Sequence, residues 1–340
     1  MHKEIEPMKR RTRRQGFTLI ELLVVIAIIG LLLSILVPSL GAAKKLAEGV
    51  ACRSNMDHVM NAVQIYATSD ADGNLPVSYL YRNGSGGWGL HDQYYGSSAG
   101  NQNGYFHWSY FLYSGGAVDA KAFQCPTMDR GGHPATNAPS DERMSGQYDP
   151  PGSADDQAPR MAYTANGAVI GRNKPPNTRH ANYDRNSRFV HLEKVNNAQG
   201  TIGVTEFQKD WKVIARRKQG HGYLSKSHRP VTPFHTSNNH CGGDDPFKID
   251  PRINPFKFDS TGNIMDWEDA EGQAGLIEFS SYTSHPLNAV GRHHPGKGAK
   301  GGGHTNFGYL DGHCDMKDLC DTVTNREWGD AFYSITGRNE

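Results

Sequence analysis

Glu21 is the only ionisable residue between Phe17 and Leu40, a stretch of 24 residues in which 17 are Leu, Ile, Val or Phe. A carboxylate in such company needs a partner. Alone at mid-membrane it costs about 3 kcal/mol, less near a helix end, and an amine brought against it would remove that cost. Further along, His285, His293, His294, His304, His313 and Asp311 fall within 29 residues. Neutral imidazoles with a carboxylate are what zinc takes, yet no HExxH or HxH spacing occurs, so His294, His304 and His313 remain weak metal candidates. Asp70, Asp72 and Asn74 offer oxygens at alternate positions, as calcium loops do, but the glutamate that would close such a loop is replaced by Tyr81. A helix-ending turn explains them better. Five cysteines include no CxxC pair. Cys52 with Cys125 would staple a helix to a sheet, Cys314 with Cys320 would close a small loop, and buried free thiols are the third reading. No GxSxG, SxxK or phosphate-binding loop is present, and no cysteine has an evident base. Neither an enzyme nor a cofactor is expected.

The elements that position these residues begin with a basic leader. Lys3, Lys9, Arg10, Arg11, Arg13 and Arg14 outweigh Glu4 and Glu6, so residues 1–16 carry net +4 and the remainder −3. A body of that sign argues against nucleic acid as a partner. As a helix, Phe17–Leu40 would be about 36 Å long, enough to cross a bilayer. Its 17 large apolar residues favour insertion by on the order of 7 kcal/mol, more than Glu21 opposes. The leader should stay cytoplasmic, which sends the rest of the chain across. An ordinary secretory signal cut near Gly41-Ala42-Ala43, or a plain signal anchor, would also insert. Neither accounts for Gly16 ahead of the run or Glu21 one turn into it.

From Ala42 to Ala67 the helical period continues, with Leu46, Val50, Met56, Val59, Met60, Val63, Tyr66 and Ala67 on one stripe. One long helix, kinked near Pro38 and ending near Asp70, is predicted. Beyond Pro76 short apolar runs alternate with turn clusters. Strands are expected at Val77–Tyr81, Tyr105–Tyr113, Ala122–Cys125, Met161–Ile170, Phe189–Leu192, Thr201–Phe207, Lys212–Ala215, Gly275–Ser280 and Thr305–Leu310. Asp311-Gly312 should turn a hairpin into His313–Lys317. Ser140–Arg160, Arg172–Arg188, His235–Asp250 and Gly296–Gly303 read as loops, the last mobile. The fold class is therefore α+β, a long N-terminal helix whose second half packs on an antiparallel, β-rich body. The chain divides into a leader (1–16), a membrane helix (17–40), its amphipathic continuation (41–70) and the body (71–340). The aromatics Trp88, Tyr94, Tyr95, Tyr105, Trp108, Tyr110 and Tyr113 suit core packing better than a glycan surface.

Arg14-Gln15-Gly16-Phe17-Thr18-Leu19-Ile20-Glu21 resembles the type IV prepilin signature, and Gly30 and Pro38 fall where pilin helices commonly carry Gly and Pro. The resemblance implies cleavage between Gly16 and Phe17 and N-methylation of Phe17 by a prepilin peptidase/N-methyltransferase. It also implies pairing of Glu21 with the Phe17 amine of a neighbouring subunit. Cys52–Tyr66, Asp70–Pro76, Phe123–Pro126 and Ala162–Gly167 resemble a large group of bacterial pseudopilin-like proteins abundant in planctomycetes. That group often carries a His, nine residues, then Asp-Gly. Here Asp311-Gly312 is preceded by His294 and His304 at other distances. A pseudopilin of type II secretion or a type IV pilus-like filament subunit is thereby implied. Its partners would be other pilins, an inner-membrane assembly platform and membrane lipid, with the body in the periplasm or at the cell surface. The alternative is an anchored, exported ligand- or glycan-binding protein that uses the signal only for sorting.

Overall fold

Eight of the residues between Gly49 and Ala67 are fully or almost fully buried, at three- and four-residue steps, and they decide how the body is built. The computed structural model describes residues 17–81, 105–134, 156–171, 186–187, 189–217, 223–236, 256–277, 285–331 and 333–336. Helix α1 runs from Leu19 to Ser69 and spans Pro38, which has no N–H to give to the carbonyl one turn earlier. Two compact units divide at Lys45/Leu46. In the first, every residue of the helix is exposed. In the second, Gly49, Cys52, Met56, Val59, Met60, Val63 and Ala67 face the core. The buried stripe thus starts with Gly49 and Cys52. Leu46 and Val50, expected on it, are 54% and 68% exposed.

Against this stripe lies a four-stranded sheet: β1 (Tyr163–Ala165), β2 (Ile202–Glu206), β3 (Thr305–Tyr309) and β4 (Cys314–Lys317). The order is β4-β3-β2-β1, with every pair antiparallel. Tyr163 pairs with Glu206, Gly308 with Val204, and Gly308 with Cys314. Strands β2 and β3 are buried along their whole length, as central strands covered on both faces must be. On one face Tyr163 donates its hydroxyl to the carbonyl of Cys52 at 2.8 Å. Met60 sits where a side chain on Gly308 would be, its Cγ 2.4 Å from the position of a Cβ there. On the other face Phe307 meets the Trp328 ring edge-on. Arg53 and Gln64 of α1 donate to the carbonyls of Cys314 and Leu310, tying the helix to β4 and to the turn after β3. The hairpin turns at Asp311-Gly312, where Gly312 takes a φ of 99° that a side chain would strain.

Several expected strands form other structure. Tyr105–Tyr113 is strand only to His107, because the His107 ring caps a following helix, α2 (Trp108–Ser114), by accepting from the Ser109 N–H. Ala122–Cys125 and Lys212–Ala215 begin as single helical turns at Ala120–Phe123 and Trp211–Ile214. Asp119 and Asp210 cap those turns through the N–H groups of Lys121 and Lys212. Met161–Ile170 stops pairing at Asn166, whose side chain donates to the carbonyls of Ile202 and Trp328 and accepts from the Ala168 N–H. Phe189–Leu192 contributes a single bridge, His191 to Asn74. Gly275–Ile277 lies in a turn, and the rest of that expected strand lies outside the described residues. The glycine-rich run from Gly296 to Gly303, expected to be mobile, is closed by a backbone bridge between His294 and His304 and pinned by Asp318, which accepts from the Ala299 N–H. Most of the other long loops, with Trp88, Tyr94, Tyr95 and Cys241, lie outside the described residues. Trp108 is buried, with the Phe123 ring edge-on to it.

The contact of α1 with the bare backbone of Gly308 fixes how closely helix and sheet approach. Gly308→Val should therefore lower the stability of the detergent-solubilised chain by about 1–3 kcal/mol through overpacking. The shift would be read as a lower urea midpoint at unchanged slope; an unaltered midpoint would contradict this packing.

Candidate functional site

Two places gather the residues that carry chemistry, one in each unit. In the first, Thr18 precedes α1 and Glu21 is its third helical residue. The Thr18 N–H donates to Glu21 Oε2 at 2.8 Å, and the Thr18 hydroxyl donates to the same oxygen at 2.7 Å. In return the Glu21 N–H donates to Thr18 Oγ1 at 3.2 Å. This is a capping box: Thr and Glu three apart satisfy each other's orphan backbone N–H groups at a helix start. The carboxylate also lies at the positive end of the helix dipole. Its spacing, Thr-x-x-Glu, stands in the sequence. Phe17 is 73% exposed beside it. Gly16 lies outside the described residues. The helix that follows has a mean hydropathy of 3.1 over its most apolar 18 residues, none of them buried. It suits a single-pass membrane anchor. Residues 11–37 match the family model described as the prokaryotic N-terminal methylation motif. The chain carries a prepilin-type signal. No curated protein and no solved structure matches the chain.

The second place is inside the body. Glu206, at the end of β2, is fully buried. Its Oε1 lies 2.8 Å from His294 Nε2 and accepts from the Asn306 side chain at 3.1 Å, while Oε2 accepts from the Asn306 N–H at 3.0 Å. Burial pushes this carboxyl up, but the His294 hydrogen bond and the Asn306 N–H help hold it below its ordinary value. Desolvation drives the neighbouring His293 imidazole down to about 4, and that of His133 likewise to about 4. His294 stands in the histidine-rich C-terminal stretch, whereas Glu206, 88 positions earlier, has no local signal that points to it.

The remaining candidates are dispersed. Cys52 and Cys125 are bridged, with Cα atoms 4.9 Å apart and a sequence separation of 73. Closing so long a loop in the unfolded chain is worth roughly 4 kcal/mol. Cys314 and Cys320 are not bridged to each other. Asp57 of α1 is the hydrogen-bonding neighbour of the first, while Asp318 and Arg292 neighbour the second. Asp70 spends its Oδ1 on the N–H groups of Asp72 and Asn74 and on the Asn74 side-chain amide, ending α1 in an Asx turn that needs no cation to close. His313 sits exposed on the hairpin turn, 2.6 Å from Asp311 and stacked on Tyr309. His304 pairs with His294 through the backbone. Among the described residues, the only group of three or more metal-binding side chains is Cys52, Cys125, Glu206 and His294.

The buried imidazoles set an acid limit on the body. In the unfolded chain each takes a proton near 6.5, whereas His293 and His133 in the fold refuse one until about 4. Between those values the unfolded state binds more protons, so stability falls as pH falls through this window and is independent of these groups above it. Urea titrations of the full chain should show the midpoint dropping steadily from pH 7 to pH 4, with a shallower drop in His293→Leu. Equal slopes in the two proteins would contradict the assignment.

Proposed function

We propose that the chain is a structural pilin-like subunit. It is cut after Gly16 and N-methylated at Phe17 by a prepilin peptidase/N-methyltransferase on the cytoplasmic side. It is then held in the inner membrane by residues 17–40 and assembled with other pilins by a membrane platform into a type II secretion pseudopilus or type IV pilus-like filament. The body stands in the periplasm or at the cell surface. The observation that carries this reading is the capped Glu21 carboxylate at the head of an apolar run that is otherwise uncharged to Leu40. While the subunit is alone, Thr18 and the helix dipole satisfy that charge, and the chain can enter the bilayer. Cleavage then creates an amine at Phe17, and in a stack of subunits that amine offers the carboxylate a full counter-charge, stronger than a hydroxyl and an amide. The apolar faces from Leu19 to Leu40 supply the packing surface.

The body works without catalysis on this reading. Of the two free thiols among the described residues, burial raises that of Cys320 to about 11 and that of Cys314 further still, so neither offers a thiolate nucleophile at neutral pH. One observation favours a second reading, an anchored ligand- or glycan-binding protein. A cleft of about 300 Å³ beside the end of α1 is lined by Asp72, Phe189, His191, Lys194 and Tyr333, a mixture of rings and polar groups that sugars also meet in binding sites.

Glu21→Ala separates the readings. In cells producing the variant, the processed chain should appear in the membrane at wild-type level while its incorporation into sheared or cross-linked filaments falls at least tenfold. Wild-type incorporation would refute the pairing of Glu21 with a neighbour's amine.

A further inference from the structure

The Cys52–Cys125 bridge is surrounded by more polar chemistry than a staple uses. Cys52 comes from α1, Cys125 from the turn after Phe123, Glu206 from the end of β2 and His294 from the glycine-rich loop. Their two sulfurs, one carboxylate oxygen and one imidazole nitrogen lie within 4.8 Å of one another, and all four residues are buried. A disulfide is best served by apolar packing, and an ionised carboxylate beside it costs several kcal/mol unless fully satisfied. Both Glu206 oxygens are hydrogen-bonded, but the polar groups around them are not all satisfied. Among the described residues, His294 Nδ1, both ring nitrogens of His293 and Asn306 Oδ1 are buried without a hydrogen-bond partner. The helix also makes room for the imidazole. Gly49, one turn before Cys52, lies against His294, and a side chain there would start 3.4 Å from Nδ1.

Once reduced, two thiolates with an imidazole and a carboxylate this close together are the donor types that zinc-class cations take in four-coordinate sites. We propose that Cys52, Cys125, Glu206 and His294 form a metal site in the reduced chain, taking one zinc-class divalent cation, and that the disulfide is the oxidised, metal-free form of the same centre. The two forms interconvert by thiol chemistry. A small dithiol gives two electrons and two protons to the Cys52–Cys125 bond, becoming a disulfide itself and leaving two thiols on the chain. The cation then displaces both thiol protons and binds both sulfurs. In reverse, a disulfide oxidant takes two electrons from the thiolates, the sulfur–sulfur bond re-forms and the cation leaves. The core is thereby stapled in either state, by a covalent bond or by a metal, before and after the chain meets an oxidising compartment.

Co2+ is the probe, added to the full chain in detergent after reduction with a phosphine. The reduced protein should bind about one Co2+ with a thiolate charge-transfer band and tetrahedral visible bands, both abolished by Zn2+. Unreduced protein should show neither band. Cys52→Ser should lower the charge-transfer intensity by about half or more, the Cys52→Ser/Cys125→Ser double variant should abolish it, and His294→Ala and Glu206→Gln should each weaken Co2+ binding at least tenfold. Near-ultraviolet circular dichroism follows the fold in parallel, and a reduced chain that loosens should regain its signal on adding Zn2+. A folded, reduced chain without the thiolate band would overturn the proposal. So would bands unchanged in both His294→Ala and Glu206→Gln, or a loosened chain that Zn2+ does not restore.

Discussion

A carboxylate one turn into an apolar helix has to be satisfied wherever that helix goes, and this requirement organises the N-terminal unit. Glu21 meets it first with local means. Thr18 supplies a hydroxyl and a backbone N–H to one carboxylate oxygen, and the helix start supplies its dipole. Neither device needs another chain, so the acid can travel with its anchor. Both are weaker than a formal positive charge in a medium that screens little, which leaves the carboxylate exchangeable.

The body answers a different constraint. An amphipathic helix needs a flat apolar partner, and the sheet provides one by keeping side chains out of the way. Gly308 lets Met60 approach β3, and Gly49 leaves space for His294 beside α1. Close approach brings the ends of the strands and the helix into one dry region, where Glu206, His294 and the two sulfurs meet. The same packing that holds the helix therefore concentrates polar chemistry beneath it.

What could be read from the sequence was local or periodic. The apolar run, the three- and four-residue stripe from Met56 to Ala67 and the Asp311-Gly312 hairpin each follow from patterns a few residues long. Strands β2 and β3 were legible because short runs rich in β-branched and aromatic residues stand between turn residues. Shorter runs misled where one polar side chain decided the outcome: His107 turned a strand into a helix, and Asp119 and Asp210 turned two more into single turns. The Glu206–His294 pair was out of reach because its members lie 88 positions apart in sequence and come from a strand end and a loop that only the folded body joins. Thr18 is the instructive miss. Its spacing from Glu21 was visible, but a membrane acid drew attention to distant partners instead of its own helix start.

Exchange of the Glu21 carboxylate from Thr18 to a neighbour's amine requires an amine at Phe17, so the covalent state of that residue is decisive. Intact-mass and N-terminal fragment analysis of the chain extracted from its own membranes should find residues 1–16 gone and a single methyl group on the Phe17 nitrogen. A chain that still begins at Met1, or one that begins at Lys44 with its anchor removed, would contradict the mechanism outright.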